Sequence, residues 1–249
     1  AELIRPGATD RPTPAPRFAK GTALALQIRM TISFRSGGSG RFADRRDAGM
    51  VLGRELQRFA NRDDVVVLAL PRGGVPVAHE VATILGAPLD IVVVRKLGVP
   101  GQPELAMGAI AGGGVRVMNE DVCASYRPSA EAVEAVTRAE CLELDRRERA
   151  YRDGRERVPI EGRVVILVDD GLATGSTMRA AVLATRQLRP ARVVVAVPVG
   201  APGTCEALRE LADEVVCPLK PDAFSAVGSW YVDFSQTTDD EIRRLLSNA

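Results

Sequence analysis

The sequence predicts an α/β fold built on a mainly parallel sheet with helices on both faces. Three observations carry this. Nearly unbroken apolar runs recur at "VVVLAL" (65–70), "LDIVVV" (89–94), "VVILV" (164–168) and "RVVVAVPV" (192–199). Strands without polar alternation are covered on both sides, as in parallel sheets. Segments with helical spacing of apolar residues lie between these runs, so strand and helix alternate along the chain. Finally, 249 residues with 46% hydrophobic content suit one α/β domain with appendages, or two small domains.

The elements follow in order. Residues 1–40 stand apart, because "RPGATDRPTPAPR" is rich in Pro and Arg and "RSGGSGR" has linker composition. This segment is expected to be a disordered extension, with Met30 as an alternative start; "TALALQI" is too short for a secretory signal core. A helix is expected over 41–59, with Met50, Val51, Leu52, Leu56 and Phe59 at helical spacing. Strand 65–70 leads into a helix over 74–85, with Pro76 in its first turn. After the strand at 89–94, residues 96–114 carry repeated Gly and Pro and are expected to form a long flexible loop. A short strand at 115–118 precedes a long charged helix over 128–154. That helix starts near Ser129, has Glu131 favouring its dipole, and stops at Gly154; its charges form a solvated face. Then come strand 164–168, a helix from about Ser176 to Leu188, strand 192–199, a helix over 203–211 and a strand at 214–217. A last helix is capped by Thr238 with Glu241 three residues on.

Composition removes several classes of function. The formal net charge of +1 does not suit a general nucleic-acid binder. No apolar run reaches the roughly 18 residues of a membrane span. Cys123, Cys141, Cys205 and Cys217 form no Cys-x-x-Cys pair, which leaves zinc and thioredoxin-like chemistry without support and suits a reducing cytosol. The one histidine, His79, rules out a site built on several histidines, and no Gly-x-Ser-x-Gly elbow accompanies it.

In parallel sheets ligands bind beyond the carboxyl ends of the strands. The informative residues are therefore Pro71-Arg72-Gly73-Gly74, Arg95-Lys96, the segment from Asp169-Asp170 onward, and the residues after Val199. "GLATGST" (171–177) places Thr174, Gly175, Ser176 and Thr177 at a helix start, where backbone N–H groups are unpaired and the dipole favours an anion. This is a cradle for a single phosphate. It lacks the lysine of a nucleotide-triphosphate loop, and "GGGVRV" (112–117) lacks the third glycine of a dinucleotide fingerprint. A phosphatase or kinase of another α/β family is unsupported for the same reason. Asp169 and Asp170 would repel the phosphate at contact distance. One sugar-length away they would accept hydrogen bonds from vicinal hydroxyls and hold a divalent cation indirectly, through ribose hydroxyls or water. Phosphate cradle, acidic pair and the space between them describe a ribose 5-phosphate site.

"VVILVDDGLATGST" (164–177) resembles the phosphoribosyl-pyrophosphate signature of the type I phosphoribosyltransferases, and its "DD-x-x-AT-G-x-T" form is most similar to adenine-type members. "LPRGGVPVA" (70–78) resembles the pyrophosphate loop of that family, which implies a non-proline cis peptide at Pro71–Arg72. "VVRKLGVPGQPELAMG" (93–108) lies where the family has its flexible lid. "KPDAFSAVGSWYVDF" (220–234) is similar to the hood that holds the acceptor base, with Phe224 in the stacking position and Trp230, Tyr231 and Phe234 nearby. The resemblance covers roughly 41–249. It implies the family fold, with a small hood over about 218–236 made from terminal segments, Mg²⁺ as cofactor, a homodimer, and transfer of ribose 5-phosphate to a nitrogenous base with release of pyrophosphate. Asp169, Asp170 and Arg72 would be catalytic. Gly73, Gly74, Arg95, Lys96, Ala173, Thr174, Gly175, Ser176 and Thr177 would bind phosphoribosyl pyrophosphate, and Phe224, Trp230 and Tyr231 the base. Two departures count against hypoxanthine or guanine. Ala173 stands where hypoxanthine-type members carry an Asp, and "PVGAP" (198–202) lacks their purine-facing lysine. Glu104 has no assigned role. The alternative is a regulator that senses phosphoribosyl pyrophosphate without turnover.

Overall fold

The computed structural model describes residues 40–248. All of the extension expected over 1–40 except Gly40, and Met30 with it, lies outside the described residues. The first helix, α1 (Arg45–Glu55), is capped by Asp44, whose side chain accepts from the Asp47 amide. Then β1 (Val65–Ala69) turns directly into α2 (Gly74–Leu85), which ends at Gly86 in the left-handed region with φ 63°. After β2 (Leu89–Ile91) come β3 (Val94–Val99), β4 (Gln102–Ala111) and β5 (Val115–Met118). Two helices follow, α3 (Glu120–Tyr126) and α4 (Ala130–Arg152). The second half alternates β6 (Val164–Val168), α5 (Ser176–Gln187), β7 (Arg192–Ala196), α6 (Pro202–Leu208) and β8 (Glu214–Val216). The last helix is α7 (Asp239–Ser247), capped by Thr238, whose side chain accepts from the Glu241 amide. None of the described helices is long and apolar enough to cross a membrane.

Five strands form one parallel sheet in the order β2-β1-β6-β7-β8. All residues of β1 and β6 are buried. Alternate residues face opposite layers. Val65, Val67, Ala69, Val164, Ile166 and Val168 join the core made with α1, α2 and α7. Val66, Leu68, Val165 and Leu167 join that made with α5 and α6. From β1 the chain moves outward to β2, whereas from β6 it moves the other way to β7 and β8. The carboxyl ends of β1 and β6 therefore frame the crevice at which open α/β sheets bind ligands.

The segment 96–114, expected to be a flexible loop, is ordered strand for most of its length. β3, β4 and β5 make a separate antiparallel sheet. Its glycines shape the hairpin rather than loosen it. Gly101 makes the turn at φ 81°. A Cβ on Gly98 would stand 2.6 Å from the Pro103 carbonyl oxygen, so only glycine lets the strands close at the bulge there. Met107, Ile110 and Ala111 are buried and give the hairpin a face to pack. The apolar run 89–94 is also broken, into β2 and the start of β3. The charged surface expected of the long helix holds: in α4 only Leu144, Glu148 and Tyr151 are buried.

A small cluster caps the carboxyl edge of the sheet. Phe42, before α1, bridges Tyr231, and both pack with Ala48 and Val199. The hood thus joins the start of the described chain to the segment before α7.

Candidate functional site

The site is assembled by two turns that leave adjacent parallel strands. β6 ends at Val168 and gives Asp169, Asp170 and the segment to Thr177. β1 ends at Ala69 and gives Leu70 to Gly74. Leu70 N–H donates to the Val168 carbonyl at 2.9 Å, which carries the pairing one residue past the end of β1. The Pro71–Arg72 bond is cis. Packing between the turns is tight: a Cβ on Gly73 would stand 2.0 Å from Asp170 Oδ2, and one on Gly74 would stand 2.9 Å from Asp169 Cα and 2.6 Å from the Val168 oxygen.

The turn expected to cradle a phosphate lies beyond the acidic pair. Gly175 has φ 70° and precedes α5, a left-handed position that favours glycine. Thr174 and Ser176 hydroxyls are 2.8 Å apart. Ala173, Thr174 and Thr177 are exposed or nearly so, with Ser176 among them. The loop is braced from behind. Leu172 N–H donates to the Val199 carbonyl at 2.9 Å, Ala201 N–H donates to Leu172 at 2.9 Å, and Thr204 Oγ1 donates to the Ala173 carbonyl at 2.7 Å. An exposed run of amides and hydroxyls at a helix start, held on a fixed brace, has the chemistry that suits an anion.

Arg45 belongs to this site and sequence reasoning missed it. Its Nε and Nη2 reach the same oxygen of Asp170, at 2.9 and 2.8 Å. Its Nη1 donates to the Ser235 carbonyl at 2.7 Å, and the guanidinium lies 3.9 Å above the Phe234 ring centre. One side chain thereby ties α1, the acidic pair and the hood together. A signal was present: Arg45 and Arg46 open a helix, where the dipole disfavours positive charge, so a counter-charge had to be found elsewhere.

Tyr231 does not face an acceptor base. It is 0% exposed, tilted against Phe42 and Phe234 with ring centres 5.5 and 5.1 Å away. Its hydroxyl donates to the Asp170 carbonyl at 2.5 Å. The ring is a support beneath the acidic pair; Phe234 carries Arg45 over one face but is 38% exposed. Phe224 and Trp230 are half-buried beside the same cluster. Tyr231→Phe should keep the ring packing and lose one hydrogen bond. A loss of about 1 kcal/mol is expected, read as a lower thermal midpoint with the far-ultraviolet circular dichroism unchanged.

The remaining basic residues divide. Lys96 is exposed and shares a cavity of about 300 Å³ with Ser176 and Arg179. Arg95 is held on α4 by Glu140 at 2.6 Å, and Arg72 Nε lies 3.4 Å from Asp239 at the start of α7. Glu104 is exposed on the hairpin. His79 Nδ1 sits 3.1 Å from the Leu245 carbonyl, on the side of α2 that meets α7.

The electrostatics of the pair are those of a site short of positive charge. Burial, then the charge of Asp170, holds the Asp169 carboxyl well above the usual carboxylate range. Burial raises Asp170 as well, against the pull of Arg45. Two carboxylates thus face one bonded guanidinium. Their hard oxygen donors fit a Mg²⁺ ion that takes few protein ligands and is completed by substrate and water. Among the described residues no cluster of three or more His, Cys, Asp or Glu forms a closed metal cage.

A parallel sheet whose switch point joins a glycine-rich basic turn to an acidic pair and an exposed helix start puts the chain in the α/β class. The chain belongs to the phosphoribosyltransferase family of type I: the family model described as "Phosphoribosyl transferase domain" matches residues 48–235. It is 50% identical over 208 residues to "Putative phosphoribosyl transferase Rv0571c" of Mycobacterium tuberculosis H37Rv, with 84% of this chain and 47% of that protein covered. MT0597 of strain CDC 1551 matches with the same values. The chain therefore spans about half the length of these curated relatives. The crystal structure of TT1426 from Thermus thermophilus superposes with a TM-score of 0.76 at 44% identity, covering 84% of this chain and 98% of that one.

Proposed function

We propose that this domain transfers the 5-phosphoribosyl group of phosphoribosyl pyrophosphate to a nitrogenous base, releasing pyrophosphate. The observation that carries the reading is the contact between the two turns, in which the glycines of Pro71–Gly74 lie directly against Asp169 and Asp170. That contact puts donors for a pyrophosphate next to acceptors for ribose hydroxyls.

The residues divide the work. Amides and hydroxyls of Ala173 to Thr177 bind the 5-phosphate. Asp169 and Asp170 accept from the ribose hydroxyls and stabilise positive charge growing on the ring. Arg72, the Gly73 amide and Lys96 face the charge developing on the leaving pyrophosphate, which is electrostatic preorganisation rather than covalent catalysis; the Gly74 amide is committed to the Leu70 carbonyl at 3.0 Å, so Gly74 contributes only its lack of a side chain. Arg95 joins them after exchanging Glu140 for the ligand, and the β3–β4 hairpin closes over the site to exclude water. Asp169 and Asp170 would hold Mg²⁺ indirectly, and the ion would neutralise phosphate charge. Phe224 and Trp230 flank the acceptor. Ala173 argues against hypoxanthine and guanine. A homodimer follows from the family resemblance, and the unpaired cysteines suit cytoplasmic residence.

The test is pyrophosphate release from phosphoribosyl pyrophosphate and Mg²⁺ across a panel of purine and pyrimidine bases. Release with at least one base, lost on chelating the metal, is expected. Tight binding without release from any base would favour the alternative of a sensor. Neither binding nor release would sink the assignment.

A further inference from the structure

Next to the phosphate cradle sit two cysteines that the proposed reaction does not use. Cys205 lies in α6, one residue after the Thr204 that braces the Ala173 carbonyl. Cys217 follows β8. They are 2% and 7% exposed. The fold brings both sulfurs to one point: a Cβ on Gly200 would stand 2.8 Å from Cys205 Sγ and 3.4 Å from Cys217 Sγ. Gly200 leaves that space open, so no side chain there parts the thiols. The Cys217 S–H donates to the Leu219 carbonyl at 3.3 Å.

The two thiols differ in character. The neighbouring Cys217 thiol lowers Cys205 to about 7, helped by Lys220 and Arg209. Cys217 is pushed up, first by Cys205 and then by burial. Cys205 is thus the more readily ionised of the two. That is the division between an attacking and a resolving cysteine.

We propose that Cys205 and Cys217 are a peroxide-responsive dithiol that closes to an intramolecular disulfide beside the phosphate cradle. The Cys205 thiolate attacks one oxygen of hydrogen peroxide. The O–O bond breaks, an S–O bond forms, and the departing hydroxide takes up the proton that Cys205 gave on ionising, leaving as water. The Cys217 sulfur then attacks the Cys205 sulfenic acid. The S–O bond breaks, the S–S bond forms, and the second hydroxide leaves as water with the Cys217 proton. Two thiols are oxidised and one peroxide is reduced to two waters.

The test treats the full chain with hydrogen peroxide, blocks free thiols with iodoacetamide, and digests with trypsin. Arg209 lies between the two cysteines, so they fall in separate peptides and a cross-link is diagnostic. The expected result is an intact mass lower by two hydrogens and a Cys205–Cys217 cross-linked peptide, both reversed by a dithiol reductant. Cys205→Ser should abolish both. Should that chain fail to fold, Cys217→Ser gives a second test: it should yield an oxidised but uncross-linked Cys205. Peroxide that oxidises the exposed Cys141 while leaving Cys205 and Cys217 free would overturn the proposal, since the pair would then be ordinary apolar packing. Oxidation of wild-type Cys205 to sulfinic acid without a cross-link would overturn it equally.

Discussion

Asp169→Asn with Asp170→Asn is expected to lower affinity for phosphoribosyl pyrophosphate, titrated calorimetrically with Mg²⁺, by about 10²–10⁴-fold. The figure follows from two hydrogen bonds to charged groups at about 1.5–3 kcal/mol each, at about 1.4 kcal/mol per factor of ten. The effect on the fold should have the opposite sign for one of the two positions. Asp169 is raised by burial and by its neighbour's charge, so its ionised form opposes folding. Asp169→Asn alone removes that like-charge contact and leaves the Arg45–Asp170 pair intact, so its thermal midpoint should be equal to or above wild type while binding falls. Asp170→Asn takes the counter-charge from Arg45, whose side chain is 12% exposed. It should melt lower, because breaking a buried pair costs up to about 3–5 kcal/mol. Arg45 keeps Ser235 and Phe234, which moderates the loss. A site that gives up binding while gaining stability is shaped by its ligand. A double mutant that binds like wild type would remove the carboxylates from the mechanism.

That asymmetry also marks what the sequence disclosed. The strands were legible because burial on both faces leaves an unbroken apolar run, and the ligand-facing turns followed from where those runs end. The helix start at Thr174–Thr177 was legible because its signal is local in the chain. Arg45 was not, because its partner Asp170 is 125 residues away. Nor was the role of Tyr231, since an aromatic cluster reads alike whether it faces a ligand or underlies one. The hairpin at Val94–Ala111 was hidden by glycine and proline, which loosen an isolated chain yet at Gly98 permit a close backbone approach. For Arg45 and Tyr231 the deciding contact is nonlocal, and pattern along the chain does not name the partner.

The glycines of the first turn allow the contact between the two turns to be tested without touching a charge. Gly73 has φ −59° and ψ −32°, and Gly74 lies inside α2, so alanine fits both backbones and any effect must come from the added methyl. At Gly73 the methyl would meet the Asp170 carboxylate, with Oδ2 at 2.0 Å, and Arg45 Nε at 3.3 Å. The carboxylate must leave its place, so Gly73→Ala should weaken binding of phosphoribosyl pyrophosphate by more than about tenfold, well beyond its effect on melting. At Gly74 the methyl would meet backbone, the Val168 oxygen at 2.6 Å and Asp169 Cα at 2.9 Å, and no rotamer can relieve it. Forcing such a methyl in costs about 1–3 kcal/mol. For a domain of this size that is a fall in thermal midpoint of roughly 2–12 °C, with binding reduced as β1 and β6 part at their carboxyl ends. Gly175→Ala would add strain at φ 70° to a clash with Thr204, so it cannot separate the two effects as the first turn can. A Gly74→Ala chain that melts and binds as wild type does would mean the turn and β6 are not packed together, and a site shared between them could not exist.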